Sequence, residues 1–206
     1  MVIHYLALGD SYTIGTGTST PSRNFPSHLA RKLEEVTGQR VEVRNPSVDG
    51  YTTGDLIEHE LPELDRFRPD LVTVLIGAND IVRGVGESAY GSRLGQIYGR
   101  VRLLGLPLGR VLALSIPDFS VVAAAPTFGD PAELRSRIDR FNGLAKLAAL
   151  DHGFDYLDLS ELSRSGALRP GWISADGLHP ADAQYEAWSQ LIWQQVASRW
   201  TVQASG

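Results

Sequence analysis

The chain has 206 residues, 43% of them hydrophobic and 21% charged. That is enough for one sizeable core, short for two ordinary domains, and inconsistent with wholesale disorder or a fibrous repeat. A formal net charge of −5 removes the general attraction to nucleic acid or anionic lipid, and the lack of cysteine excludes disulfides, thiolate metal sites and a cysteine nucleophile. A single domain over residues 1–206 is therefore expected, with a monomer as the default. Met1 to Leu8 lacks a basic leader, and its apolar run stops at Gly9, too short for a signal sequence or a membrane span. The chain as given, a removed leader aside, points to the cytoplasm, with no stable membrane insertion.

Taken in chain order, Val2 to Leu8 is an apolar run predicted as the first strand. Asn24, Pro26, the series Leu29, Leu33, Val36, and then Gly38 supply the start, the spacing and the stop of a helix. Val41 to Arg44 reads as the second strand, a helix follows Thr53, and Leu71 to Ile76 is the third strand. Leu94, Ile97, Tyr98, Val101 and Leu104 fall on one helical face before the fourth strand, Val111 to Ile116. Leu134, Ile138, Phe141, Ala145 and Ala148 fall on another before the fifth, Phe154 to Asp158. The last helix follows Pro180 and buries Tyr185, Trp188 and Ile192. The glycine-frequent stretch Gly84 to Gly109 and the long connection Pro117 to Pro131 are candidates for mobile or substrate-facing segments. Strands alternating with helices at this spacing imply right-handed crossovers and a parallel sheet covered on both faces, a three-layer α/β/α sandwich.

In an open parallel sheet, ligands bind outside the carboxyl ends of the strands, so the residues just after each strand hold the chemistry. Those are Gly9-Asp10-Ser11-Tyr12, Asn45 to Gly50, Gly77-Ala78-Asn79-Asp80, and Asp176-Gly177-Leu178-His179-Pro180. A serine hydroxyl needs a base to take its proton, and the base needs a third group to fix its tautomer. Ser11, His179 and Asp176 can fill these roles, since the acid and the histidine stand three apart on one loop. The other histidines, His4, His28, His59 and His152, lack such an acid and read as structural or surface groups. Protonation of the imidazole in acid would remove the base.

Gly9-Asp10-Ser11, Gly50, Gly77-x-Asn79-Asp80 and Asp176-x-x-His179, in this order and spacing, resemble the GDSL esterases and lipases, also called SGNH hydrolases. One departure is Tyr12, where the family's name expects leucine. The resemblance implies a flavodoxin-like α/β/α fold with a five-stranded parallel sheet, and hydrolysis of a small-molecule ester, as by an esterase, lipase or lysophospholipase, through an acyl-serine intermediate. It implies an oxyanion hole made by the backbone N–H groups of Ser11 and Gly50 and the side-chain amide of Asn79. Gly50 suits a tight turn near a ligand, with Gly54 as a rival. No cofactor and no metal are expected, because neither Asp10 nor Asp80 has a histidine at ligand spacing; Asp10 is expected to tie down the loop around Ser11. Trp172, Phe119, Phe128 and the loop Val121 to Pro126 could contact an acyl chain, although packing against the core is the favoured role. The alternative is a flavodoxin-like nucleotide-binding protein without hydrolase activity, the hydroxyl-rich loop Ser11 to Thr20 cradling a phosphate.

Overall fold

The computed structural model describes residues 2–202. Five strands, β1 (Val2–Gly9), β2 (Arg40–Arg44), β3 (Leu71–Leu75), β4 (Val111–Leu114) and β5 (Asp155–Leu157), form one parallel sheet in the order β2-β1-β3-β4-β5. Every residue of β3 and β4 is buried, which is why these two read as continuous apolar runs. The edge strand β2 instead alternates, with Val41 inward and Arg40, Glu42 and Arg44 in solvent.

Helices cover both faces. On one side α2 (Phe25–Thr37) packs on α9 (Asp182–Trp200); on the other α6 (Glu87–Arg102) packs on α7 (Pro131–Asp151). The signals that start and stop α2 act as expected: the Asn24 side chain accepts from the Ser27 N–H at 2.9 Å, and Gly38 ends the helix at φ 67°. Trp188, Tyr185 and Ile192 of α9 are fully buried.

Several expectations need correction. Val36 stands in the last turn of α2 and is exposed, unlike Leu29 and Leu33. The inward row of α7 advances in steps of four through Phe141, Ala145 and Ala149, so Ala149 rather than Ala148 is buried, and Leu104 lies past the end of α6. Gly84 to Gly109 is mostly α6, a packed helix. The helix after Thr53 is broken into α3 (Thr53–Asp55), a π-helical turn (Leu56–Glu60) and α4 (Glu63–Phe67). Three short helices were not anticipated: α1 (Ser11–Ile14), α5 (Ala78–Val82) and α8 (Ser160–Gly166). Among the described residues no helix is long and apolar enough to cross a membrane.

In this strand order the chain leaves β1 toward β2 and then crosses back to β3, so a crevice opens between the carboxyl ends of β1 and β3. Ser11 follows the first of these strands and Asn79 the second.

Candidate active site

Asp10 caps α1: its carboxylate accepts from the Tyr12 N–H at 3.0 Å, which ties down the turn as expected and makes Ser11 the first residue of the helix. The N–H at that position has no intrahelical acceptor. Asp10 is completely buried. Burial pushes its carboxyl up to about 8, the Tyr12 N–H opposing the shift and the Asp80 and Asp49 carboxylates adding to it.

The last loop is a closed structure built around one carboxylate. Ser174 N–H donates to the His179 carbonyl and Ala181 N–H to the Trp172 carbonyl, both at 2.8 Å, so the segment returns on itself. Inside it Asp176 Oδ1 accepts from the Ser174 hydroxyl at 2.6 Å, from the Leu178 N–H at 2.8 Å and from the His179 N–H at 3.0 Å. Asp176 Oδ2 lies 2.6 Å from His179 Nδ1. Partial burial works to raise the Asp176 carboxyl, but the bonds from Ser174, His179 and the backbone outweigh it and hold the group well below the usual carboxylate range. An ionised carboxylate can only accept, so Nδ1 is the nitrogen that donates to it, and in a neutral imidazole Nε2 then bears the lone pair. Tyr12 backs the imidazole, its ring 5.9 Å from that of His179 and 6.0 Å from that of Trp188.

Two anchors join the segments from opposite ends of the chain. Ser19 donates through its N–H and its hydroxyl to Asp182 at 2.8 and 2.6 Å, and the Tyr185 hydroxyl donates to the Thr16 carbonyl at 3.1 Å. Both acceptors or donors on the far side belong to α9, which begins just after His179. As a result Ser11 and His179 line one cavity of about 170 Å³ with Gly50 and Asn79. Among the described residues no hydrogen bond joins the Ser11 hydroxyl to the imidazole; such bonds commonly tighten only when substrate binds.

The loop after β2 approaches from the other side. Gly50 has φ 83°, a left-handed conformation that favours glycine, whereas its rival Gly54 lies in α3, away from the cavity lining. Asn79 on α5 donates through Nδ2 to the Tyr51 carbonyl at 3.0 Å, leaving the second amide proton free for another acceptor. Gly77, at φ 130°, starts α5 where a Cβ would fall 2.7 Å from the Tyr90 hydroxyl. Asp80 is buried and accepts from the Thr53 N–H and hydroxyl at 2.8 and 2.6 Å, with Arg93 at 3.4 Å. It is thus committed to bracing the loop. Among the described residues no three histidine, aspartate or glutamate side chains cluster to hold a metal.

Tyr12, Asp49, Ala78, Val82, Phe119, Phe128 and Leu178 complete the lining, so most of the wall is apolar, with one carboxylate in it. Phe119 and Phe128 meet edge to face at 6.0 Å, on two 3₁₀ turns of the long connection after β4. Phe119 therefore packs against the core and faces the cavity at once. Trp172 lies outside that wall, its indole against Gly166. Ser174 and Leu178 were not singled out from the sequence, and Tyr12 only as the departure from the family's leucine. Ser174, two residues before Asp176, is the only one of these with a local signal, a hydroxyl spaced to bond the following acid.

Three of the hydroxyls proposed for a phosphate cradle are spent elsewhere. Thr16 donates to Asp49, Thr18 to the Gly15 carbonyl and Ser19 to Asp182, which puts carboxylates where a phosphate would need donors.

Known proteins share this arrangement of elements. The arylesterase of Vibrio mimicus is 30% identical over 178 residues, 85% of this chain and 78% of its own length. Esterase TesA of Pseudomonas aeruginosa is 26% identical over 189 residues, 91% of this chain and 85% of its own. A crystal structure of TesA superposes with a TM-score of 0.75 at 25% identity, covering 95% of this chain and 98% of that one. A sequence model of the GDSL-like Lipase/Acylhydrolase family matches residues 7–187, and the chain accordingly belongs to that family and is a carboxylic ester hydrolase.

Proposed function

We propose that the protein hydrolyses esters through an acyl-serine intermediate, with Ser11 as nucleophile, His179 as base and then acid, and Asp176 as the group that orients the imidazole. The observation that carries this reading is the shared cavity: Ser11 and His179 line it together, while Asp176 occupies the far ring nitrogen at 2.6 Å. Ser11 Oγ attacks the ester carbonyl carbon as His179 Nε2 takes the hydroxyl proton. The carbonyl π pair moves onto oxygen, and the N–H groups of Ser11 and Gly50 with the free Asn79 amide proton stabilise that oxyanion. Collapse expels the alcohol, which receives the proton from His179. Water then attacks the acyl-serine with the same histidine as base, releasing the acid and regenerating Ser11.

The walls bear on the acyl group. The cavity is small, about 170 Å³, and mostly apolar; no lysine or arginine among the described residues lines it, and its one acidic side chain, Asp49, disfavours an anionic group. The reading is an uncharged acyl group of short chain length. Ser11→Ala tests the proposal: the variant folds with an unchanged melting temperature and loses turnover of p-nitrophenyl butyrate, whereas retained turnover would place the nucleophile elsewhere.

A further inference from the structure

The two proposed oxyanion donors outside the nucleophile turn, Gly50 N–H and the Asn79 amide, come from different elements, and stabilisation of the oxyanion depends on their separation being fixed. Glycine populates positive and negative φ with similar ease, so the backbone at Gly50 does not by itself aim that N–H. Something outside the loop must hold it.

Side chains from α5 and its C-terminal cap grip the loop at successive positions. Asn79 donates to the Tyr51 carbonyl at 3.0 Å, and Asp80 accepts from the Thr53 N–H and hydroxyl. Arg83, the residue that caps α5, donates through Nη2 to the Gly50 carbonyl at 2.7 Å. Its Nη1 lies 3.7 Å from Asp55 Oδ2. Asp55 in turn accepts from the Thr52 N–H at 2.8 Å and from the Thr52 hydroxyl at 2.7 Å. The backbone N–H of Arg83 donates to the Asn79 carbonyl at 2.9 Å, so the arginine and the asparagine are rigidly related through one helical turn.

We infer that Arg83 is a positioning residue for the oxyanion hole: by holding the Gly50 carbonyl from the helix that carries Asn79, it fixes the Gly50 N–H at a set distance from the Asn79 amide. This rests on the reading of the site given above. The Arg83 side chain is 57% exposed, and the contact to Gly50 comes from one nitrogen, so a lysine ammonium can replace it as a point donor while methionine keeps only the stem. Neither change opens a cavity in the core.

The test compares wild type with Arg83→Met and Arg83→Lys by steady-state kinetics on p-nitrophenyl butyrate, by thermal unfolding, and by inhibition with a boronic acid, whose tetrahedral adduct places an oxygen in the oxyanion position. Loss of a whole oxyanion donor costs about 10²–10³ in kcat, and loosening one is expected to cost about tenfold. Arg83→Met should lower kcat by about that factor with KM and melting temperature unchanged, weaken the boronic acid in parallel, and be rescued by Arg83→Lys. An unchanged kcat, a loss confined to KM, or a loss that tracks a fall in melting temperature would overturn the inference. Ser11→Ala serves as a separate control: activity retained there removes the reading of the site, while activity lost there with Arg83→Met at wild-type rate removes only the role of Arg83.

Discussion

Glu60 offers a sharp test of how the turn that carries Ser11 is built. It is fully buried at the end of the π-helical turn, where one carboxylate oxygen accepts from the Gly9 N–H at 2.9 Å and the other meets no partner. Burial pushes its carboxyl up to about 8, with the Gly9 N–H opposing and the Asp10 carboxylate adding to the shift. An unfolded glutamate titrates near ~4.3. Between these values the folded protein keeps a proton that the unfolded chain has lost, so stability is fully present below the unfolded pKa and falls as pH rises toward 8. The slope is about 1.4 kcal/mol per pH unit for one group, which makes about 3 kcal/mol between pH 5 and 7. At this chain length each kcal/mol moves the melting temperature by about 2–4 °C. Glu60→Gln keeps the shape and the acceptor for Gly9 but cannot ionise. Calorimetric melting of wild type and Glu60→Gln at pH 5, 6, 7 and 8 should show the difference in melting temperature between pH 5 and 7 shrinking by roughly 6–12 °C in the variant. Parallel curves for the two proteins would refute the reasoning and mean that Glu60 is ionised in the fold throughout.

Asn79→Ala should lower kcat by about 10²–10³ with little change in KM; a wild-type rate would take Asn79 out of the oxyanion hole. Asp176→Asn replaces a pure acceptor by an amide that can offer a donor to Nδ1 and favour the wrong tautomer, and kcat should fall by about 10² or more; an unaffected rate in stopped-flow acylation would leave the imidazole without need of its orienter. In a series of p-nitrophenyl esters, kcat/KM should peak at short acyl chains and decline by decanoate, and Phe128→Ala should move the peak to longer chains. A peak at dodecanoate in wild type would show that the chain does not lie in the cavity walled by Phe119 and Phe128.

The parts of the fold that were legible in the sequence are those whose burial is continuous or periodic. The interior strands β3 and β4 are uninterrupted apolar runs because helices cover both faces, and α2 carries a cap at Asn24 and a stop at Gly38. Helix α8, with the sequence SELSRSG, buries Ser160, Ser163 and Gly166 rather than large apolar groups, so it has no hydrophobic period to read. The π-helical turn that carries Glu60 inward leaves no local signal either, since a glutamate in a helical stretch reads as a solvent face. Of the proposed site, Ser11, Asp176 and His179 could be read from the sequence because the proposed chemistry limits the residue types, whereas Gly50 came from the family resemblance and stands at a positive φ that favours glycine. Arg83 was not, because a cation four residues after Asn79 looks like any exposed arginine until the Gly50 carbonyl is brought to it by the crossing from β2 to β3.

The direct test of the central claim is covalent labelling. The protein incubated with a p-nitrophenyl alkylphosphonate, digested and sequenced by mass spectrometry should carry one phosphonyl group, on Ser11, with labelling slowed strongly in His179→Ala. A label on another serine, or labelling at full rate without His179, would contradict the account.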